Sequence, residues 1–183
     1  MALDACVLAP AVCRGLLIGA AEARAFAPLW SSRILEEWAR AARKLPEGAE
    51  AVARAEIARL RANWPDAEIE ENPALLATLS LPDPDDVHVF ATAIEGRAQA
   101  LVTFNMRDFP ARTLARRDIL VLRPDVFLSQ LLHDGADISG IAHDVRERLG
   151  GGDGALSGYI KRARLPILAK AIANASSGPG RPI

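Results

Sequence analysis

Cysteine is scarce in this 183-residue chain. Its two thiols, Cys6 and Cys13, stand in no CxxC spacing and have no histidine nearby, which argues against a disulfide framework and against a zinc site. That fits a reducing compartment. Neither sign of charge dominates: 22 Lys+Arg face 23 Asp+Glu, a formal net charge of -1. The chain as a whole exerts no general pull on a polyanion, so any such site must come from a local patch. There is no membrane-length apolar run. The start lacks the basic flank and apolar stretch of a signal peptide, so a cytoplasmic protein with no membrane partner is expected. No internal repeat is present. The only low-complexity piece is Ser176-Ser177-Gly178-Pro179-Gly180-Arg181-Pro182, which predicts a flexible tail over 176–183. Apolar residues, by contrast, make up 50% of the chain, which argues against disorder and suffices for a sizeable core.

Strand and helix signals alternate. Met1 to Leu8 begins as a short strand ending near Asp4, and Phe26 to Trp30 predicts a second. Between them, Leu16 to Arg24 is alanine-rich and helical. Ser31 or Ser32 caps a helix over 33–44, and another spans 49–63 until Pro65. A helical turn is expected after Pro73. Asp83 then caps a helix with Pro84 at its first position and Asp85 and Asp86 in its first turn, where the macrodipole favours acids. That helix stops near Gly96. Ala100 to Phe104 predicts a strand buried on both faces and Ile119 to Leu122 one more apolar strand, and helices are expected over 124–132, 138–149 and 156–173. The alternation implies an α/β fold with a central parallel sheet flanked by helices, followed by a C-terminal helical extension. The segments are expected at 1–132, 133–175 and the tail.

Ligands in such sheets bind beyond the carboxyl ends of the strands. Four acids are placed to reach that edge. Asp4 ends the first strand and Asp108 follows a later one. Asp86 shares a helical face with Val89, Phe90 and Ala93, so it faces inward, whereas Asp83 reads mainly as a cap and Asp85 as a solvated charge. Glu36 shares its surface with Arg33, Arg40 and Arg43 and reads as part of an ion-pair ladder. Glu37 instead lies on the side of Ile34 and Ala41, where a carboxylate is expensive unless paired or metal-bound. Clustered carboxylates repel unless protons or cations neutralise them. Oxygen-only ligands suit hard cations, so Mg²⁺ or Mn²⁺ is the natural guest. Arg107, Arg112 and Arg116 form a basic run beside Asp108, able to contact RNA phosphates without reading sequence. A lone histidine is more often surface or hydrogen-bonded than catalytic, and His88 is not assigned to the site. Trp30 and Trp38 are expected in the core.

Four blocks carry a resemblance: Leu3-Asp4-Ala5-Cys6-Val7-Leu8, Ile34-Leu35-Glu36-Glu37-Trp38, Asp83-Pro84-Asp85-Asp86-Val87-His88-Val89, and Val102-Thr103-Phe104-Asn105-Met106-Arg107-Asp108-Phe109-Pro110. Together they resemble the PIN domain over roughly 3–132, and in particular the VapC-like toxin branch of PIN nucleases. The last two blocks are the specific ones. The resemblance implies a Mg²⁺- or Mn²⁺-dependent endoribonuclease, with RNA as substrate and a small antitoxin protein as partner. A homodimer is left open. It implies catalytic and metal-holding roles for Asp4, Glu37, Asp86 and Asp108, with support from Asp83, Thr103 and Asn105. Cys6 departs from the family, where asparagine is common two positions after the first acid, and this puts the support of Asp4 in question. The rivals are a non-catalytic PIN-like module binding RNA or protein, and an aspartate-based phosphatase. The latter usually shows DxDx[TV], and Asp4-Ala5-Cys6-Val7 lacks its second aspartate.

Overall fold

The computed structural model describes residues 1–176; of the expected tail at 176–183, Ser176 ends the last helix and 177–183 lie outside the described residues. In chain order the elements are β1 (Ala2–Leu3), α1 (Ala5–Leu8), α2 (Ala11–Glu22), α3 (Ser32–Ala42), α4 (Ala49–Asn63) and α5 (Pro73–Leu76). A 3₁₀ turn (Pro84–Asp86) then leads into α6 (Val87–Glu95), β2 (Ala100–Val102), α7 (Ala111–Ala115) and β3 (Leu120–Leu122). Four helices follow: α8 (Pro124–His133), α9 (Ile138–Arg148), α10 (Leu156–Arg162) and α11 (Pro166–Ser176). The fold is α/β as expected, a parallel three-stranded sheet with flanking helices and a C-terminal helical part.

Two compact units are present. The first comprises Met1–Ala9 and Phe26–Arg123; the second comprises Pro10–Ala25 and the chain from Pro124 on. These packing boundaries fall at other places than 132/133, because α2 and α8 both pack with the late helices.

In the first unit the strand order is β1-β2-β3. Leu3 pairs with Val102, and Val102 with Leu122. This register decides the site, because it sets the residues that leave β1 and β2, Asp4 and Thr103, side by side. β1 and β2 are wholly buried, as their apolar runs require. The expected strand at Phe26–Trp30 is corrected: it contributes only isolated bridges, Ala2 to Leu29 and Trp30 to Glu68. β2 ends at Val102 instead of Phe104, because the Thr103 side chain turns to Asp4. Ser31 does cap α3, accepting from the Ile34 amide at 3.3 Å. Helix α6 is buried from His88 to Thr92 and Ala93, the pattern of a central helix, not a surface one. Trp30 and Trp38 are core residues, and Trp30 meets Trp64 edge to face at 6.3 Å.

In the second unit α2 packs on α9 through small residues. A Cβ on Gly19 would lie 2.6 Å from Ile141 Cγ2, so no larger residue fits that approach unshifted. The expected helix over 156–173 is two helices. Arg164 adopts a left-handed φ of 68°, and Pro166 cannot donate to a helix running through it. Pro166 instead starts α11. Asp125, buried on α8, caps the new helix by accepting from the amides of Ile167 at 3.0 Å and Leu168 at 2.8 Å.

Candidate active site

All the acids singled out above lie in the first unit. Asp4 is 5% exposed. It leaves β1 with its amide bonded to the Val102 carbonyl, and its side chain caps α1 through the Cys6 amide at 3.3 Å. Thr103 Oγ1 donates to Asp4 Oδ2 at 2.6 Å, and Cys6 Sγ donates to the same oxygen at 3.0 Å. The Cys6 sulfur in turn accepts from the Phe104 amide at 3.2 Å. The thiol thus does bridge Asp4 to the end of β2, which answers the question raised by the missing asparagine. Burial and the adjacent Asp4 carboxylate push the Cys6 thiol up to about 12, so it remains a neutral donor.

The tightest cluster is Asp83, Asp86 and Asp108, each half-buried, with one carboxylate oxygen apiece within 4.8 Å of the others. Asp83 caps the 3₁₀ turn, accepting from the Asp85 amide at 2.9 Å, and also joins this group. Asp86 ends that turn and is oriented by Asn105 Nδ2 at 3.3 Å. The Asn105 amide bonds Thr103 Oγ1 at 2.9 Å, so the loop after β2 ties Asp86 and Asp4 together. The Asp86 carboxyl is raised to about 6, first by burial and then by the charges of Asp4, Asp83, Asp108 and Glu37. Asp4 and Glu37 stand outside the 4.8 Å group, yet both act on Asp86 electrostatically.

Glu36 and Glu37 are about equally exposed, at 36% and 34%. Their partners separate them. Glu36 pairs with Arg40 at 3.2 Å and Arg54 at 3.0 Å, a solvated network. The expected ladder is corrected in part, since Arg43 pairs with Glu50 and Arg33 with Glu37. Glu37 Oε1 lies 3.5 Å from Arg33 Nε and 2.8 Å from His88 Nε2. The approach to His88 is off the ring N–H direction, so neither imidazole nitrogen makes an aligned hydrogen bond among the described residues. The contact is a close approach within hydrogen-bonding distance, not an aligned hydrogen bond. His88, passed over in sequence, is thus a buried polar group against a site acid. A histidine inside the apolar run Val87-His88-Val89-Phe90 was the available signal, because burial demands a partner.

Glu37 opens onto a cleft of about 710 Å³, also lined by Arg33, Arg40, Arg61 and Asp85. Arg107, Arg112 and Arg116 are exposed and form no ion pair among the described residues. No described helix is long and apolar enough to cross a membrane.

Neither curated proteins nor solved structures give a significant match to the chain. A family model described as PIN domain matches residues 1–107, more than half of the chain. The matched span takes in Asp4, Glu37, Asp83, Asp86, Thr103 and Asn105, and stops one residue short of Asp108. PIN domains are generally divalent-metal-dependent nucleases, and the aspartate cluster is compatible with metal binding. On that match, with the parallel sheet and the acids at its carboxyl edge, the chain belongs to the PIN domain family.

Proposed function

We propose that the chain is a divalent-metal-dependent endoribonuclease and the toxin of a toxin–antitoxin pair. The observation that carries this reading is the convergence of Asp83, Asp86 and Asp108 within 4.8 Å. Such a set is self-repelling, and the Asp86 carboxyl is raised first by burial and then by the charges of Asp4, Asp83, Asp108 and Glu37. The donor chemistry fits the ion: oxygens alone, several of them anionic, suit Mg²⁺ or Mn²⁺. Asp86 and Asp108 would hold it, with Asp83 beside them and Asp4 and Glu37 completing the acidic edge. When bound, a divalent ion lowers the pKa of water and offsets charge developing on phosphoryl oxygens.

The protein's own part is positioning. Thr103 and Cys6 fix one oxygen of Asp4, and Asn105 fixes one oxygen of Asp86, so neither carboxylate rotates freely. Unpaired Arg107, Arg112 and Arg116 are available to neutralise phosphates of an RNA strand. The overall charge of -1 leaves that attraction local. A small antitoxin covering the acidic edge would silence the enzyme.

Purified protein, free of any inhibitor, should cleave RNA with Mg²⁺ or Mn²⁺ and stop when a chelator is added. Asp86→Asn should abolish cleavage while leaving the circular dichroism spectrum intact. Binding of RNA without cleavage under every metal tried would instead favour a non-catalytic module. The toxin role is tested by expression: growth arrest, relieved by co-expressing the neighbouring small reading frame, is the expected result, and indifferent growth would refute it.

A further inference from the structure

Helix α6 delivers two polar groups to the acidic edge. Asp86 stands at its entry, and His88 follows two residues later inside the apolar run. The His88 ring is 1% exposed, and both of its nitrogens lack an aligned hydrogen-bond partner among the described residues. A buried imidazole in that condition is anomalous, since buried polar groups are almost always satisfied. Its Nε2 nevertheless lies 2.8 Å from Glu37 Oε1.

The closest approach of each Glu37 partner is to the same oxygen, Oε1. Arg33 reaches Oε1 at 3.5 Å from a side chain 45% exposed, a loose and solvated hold. His88 reaches it from a buried helix, with its own ring 1% exposed. The second oxygen, Oε2, accepts no hydrogen bond among the described residues.

We propose that His88 is a positioning residue that holds Glu37 by one oxygen, leaving the other to face a divalent ion held by the aspartates. This rests on reading the acidic cluster as a metal site. Its consequence is mechanical. Glu37 comes from α3 and Asp86 from the start of α6, and the His88–Glu37 contact ties the two across helices. One turn of α6 thereby sets both the acid it carries and the acid it does not. Outer contacts of this kind typically change metal affinity by roughly 10- to 100-fold when removed.

The test is calorimetric titration of Mn²⁺ into the full-length chain. Glutamine carries an amide nitrogen about where imidazole Nε2 lies, whereas asparagine falls short by one methylene. His88→Gln should therefore bind Mn²⁺ within about threefold of the original, while His88→Asn and His88→Leu weaken it by roughly 10- to 100-fold. Glu37→Gln should weaken it similarly, and the double variant Glu37→Gln/His88→Leu should be no weaker than either single one. With RNA as substrate, kcat should fall in His88→Asn with KM unchanged. Equal affinity in His88→Asn and His88→Gln, or additive losses in the double variant, would overturn the proposal. Should His88→Leu fail to fold, the Gln and Asn pair carries the comparison, since both keep a polar amide and differ in whether it reaches Glu37. Asp86→Asn separates the two layers. Lost Mn²⁺ binding there with unchanged binding in the His88 variants sinks only the positioning role, and retained binding there sinks the metal site itself.

Discussion

Thr103 Oγ1 donates a 2.6 Å hydrogen bond to Asp4 Oδ2 across 99 positions of sequence. The bond follows from the register of two strands, because the pair Leu3 and Val102 places the next residue of each chain segment alongside. The same hydroxyl accepts from the Asn105 amide, so one oxygen joins the first acid to the loop that orients Asp86. Replacing Thr103 by valine keeps the shape and removes that oxygen. Thr103→Val should lose about 1–3 kcal/mol of stability in urea unfolding, as expected when a buried acceptor is left short of a donor. Thr103→Ser should stay close to the original. Equal midpoints for valine and the original would show that the bond contributes nothing.

The metal-free protein should respond to pH through Asp86. Its carboxyl is raised from 3.8 to about 6 by burial first and then by the neighbouring acids. The folded state thus binds this proton more tightly than the unfolded chain does. That contribution to stability is complete below about pH 3.8 and is lost as pH rises through about 6. Asp86→Asn removes the group and its penalty. The stability advantage of Asp86→Asn over the original, in chelator, should therefore be larger at pH 7 than at pH 5. A gap of the same size at both values would show that Asp86 is not strained by its neighbours. Mg²⁺ at saturation should close the gap at pH 7 by stabilising only the original.

Cys6 should be chemically silent. With the thiol pushed up to about 12, the thiolate at pH 8 is roughly one part in ten thousand. Iodoacetamide should leave native Cys6 unmodified over hours and label it promptly in guanidinium chloride, as read by mass spectrometry of the peptides. Fast labelling of native Cys6 would mean that its contacts with Asp4 and Phe104 open readily.

Asp125 is the corresponding structural acid of the second unit. It is 1% exposed and caps α11 with two amide bonds. Asp125→Ala should cost about 0.5–2 kcal/mol, the usual range for a lost cap. Hydrogen exchange at Ile167 and Leu168 should accelerate before that of α9. Unchanged exchange at both amides would contradict the capping role.

The parts readable in the sequence were those decided locally. The limits of α4 and the caps at Ser31 and Asp83 follow from residue types within a few positions. The buried strands follow from their unbroken apolar runs. Helix face alone does not separate Glu37 from Glu36, since the two are about equally exposed; their partners do, Arg40 and Arg54 for Glu36 against Arg33 and His88 for Glu37. What stayed hidden depends on partners distant in sequence. The Cys6 bridge needs Phe104, the second salt bridge of Glu36 needs Arg54, and the role of His88 needs Glu37 on another helix. The break after α10 was legible, since Pro166 stands inside the expected helix span, whereas the left-handed turn at Arg164 leaves no mark in composition.

The chain enters its second unit at Pro10, leaves it at Ala25, and returns only at Pro124. During synthesis this imposes an order of assembly. The first unit has all its residues once Arg123 has emerged, whereas α2, made long before, must wait for α8 and α9 to cover it. Its Gly15 and Gly19 face meets Val145 and Ile141, so a ribosome stalled before α9 holds a chain with an acidic edge built and a helix uncovered. Removing the late helices would accordingly strand α2 near the start of the chain, and trimming this protein from its C-terminal end alters a segment more than 100 residues upstream.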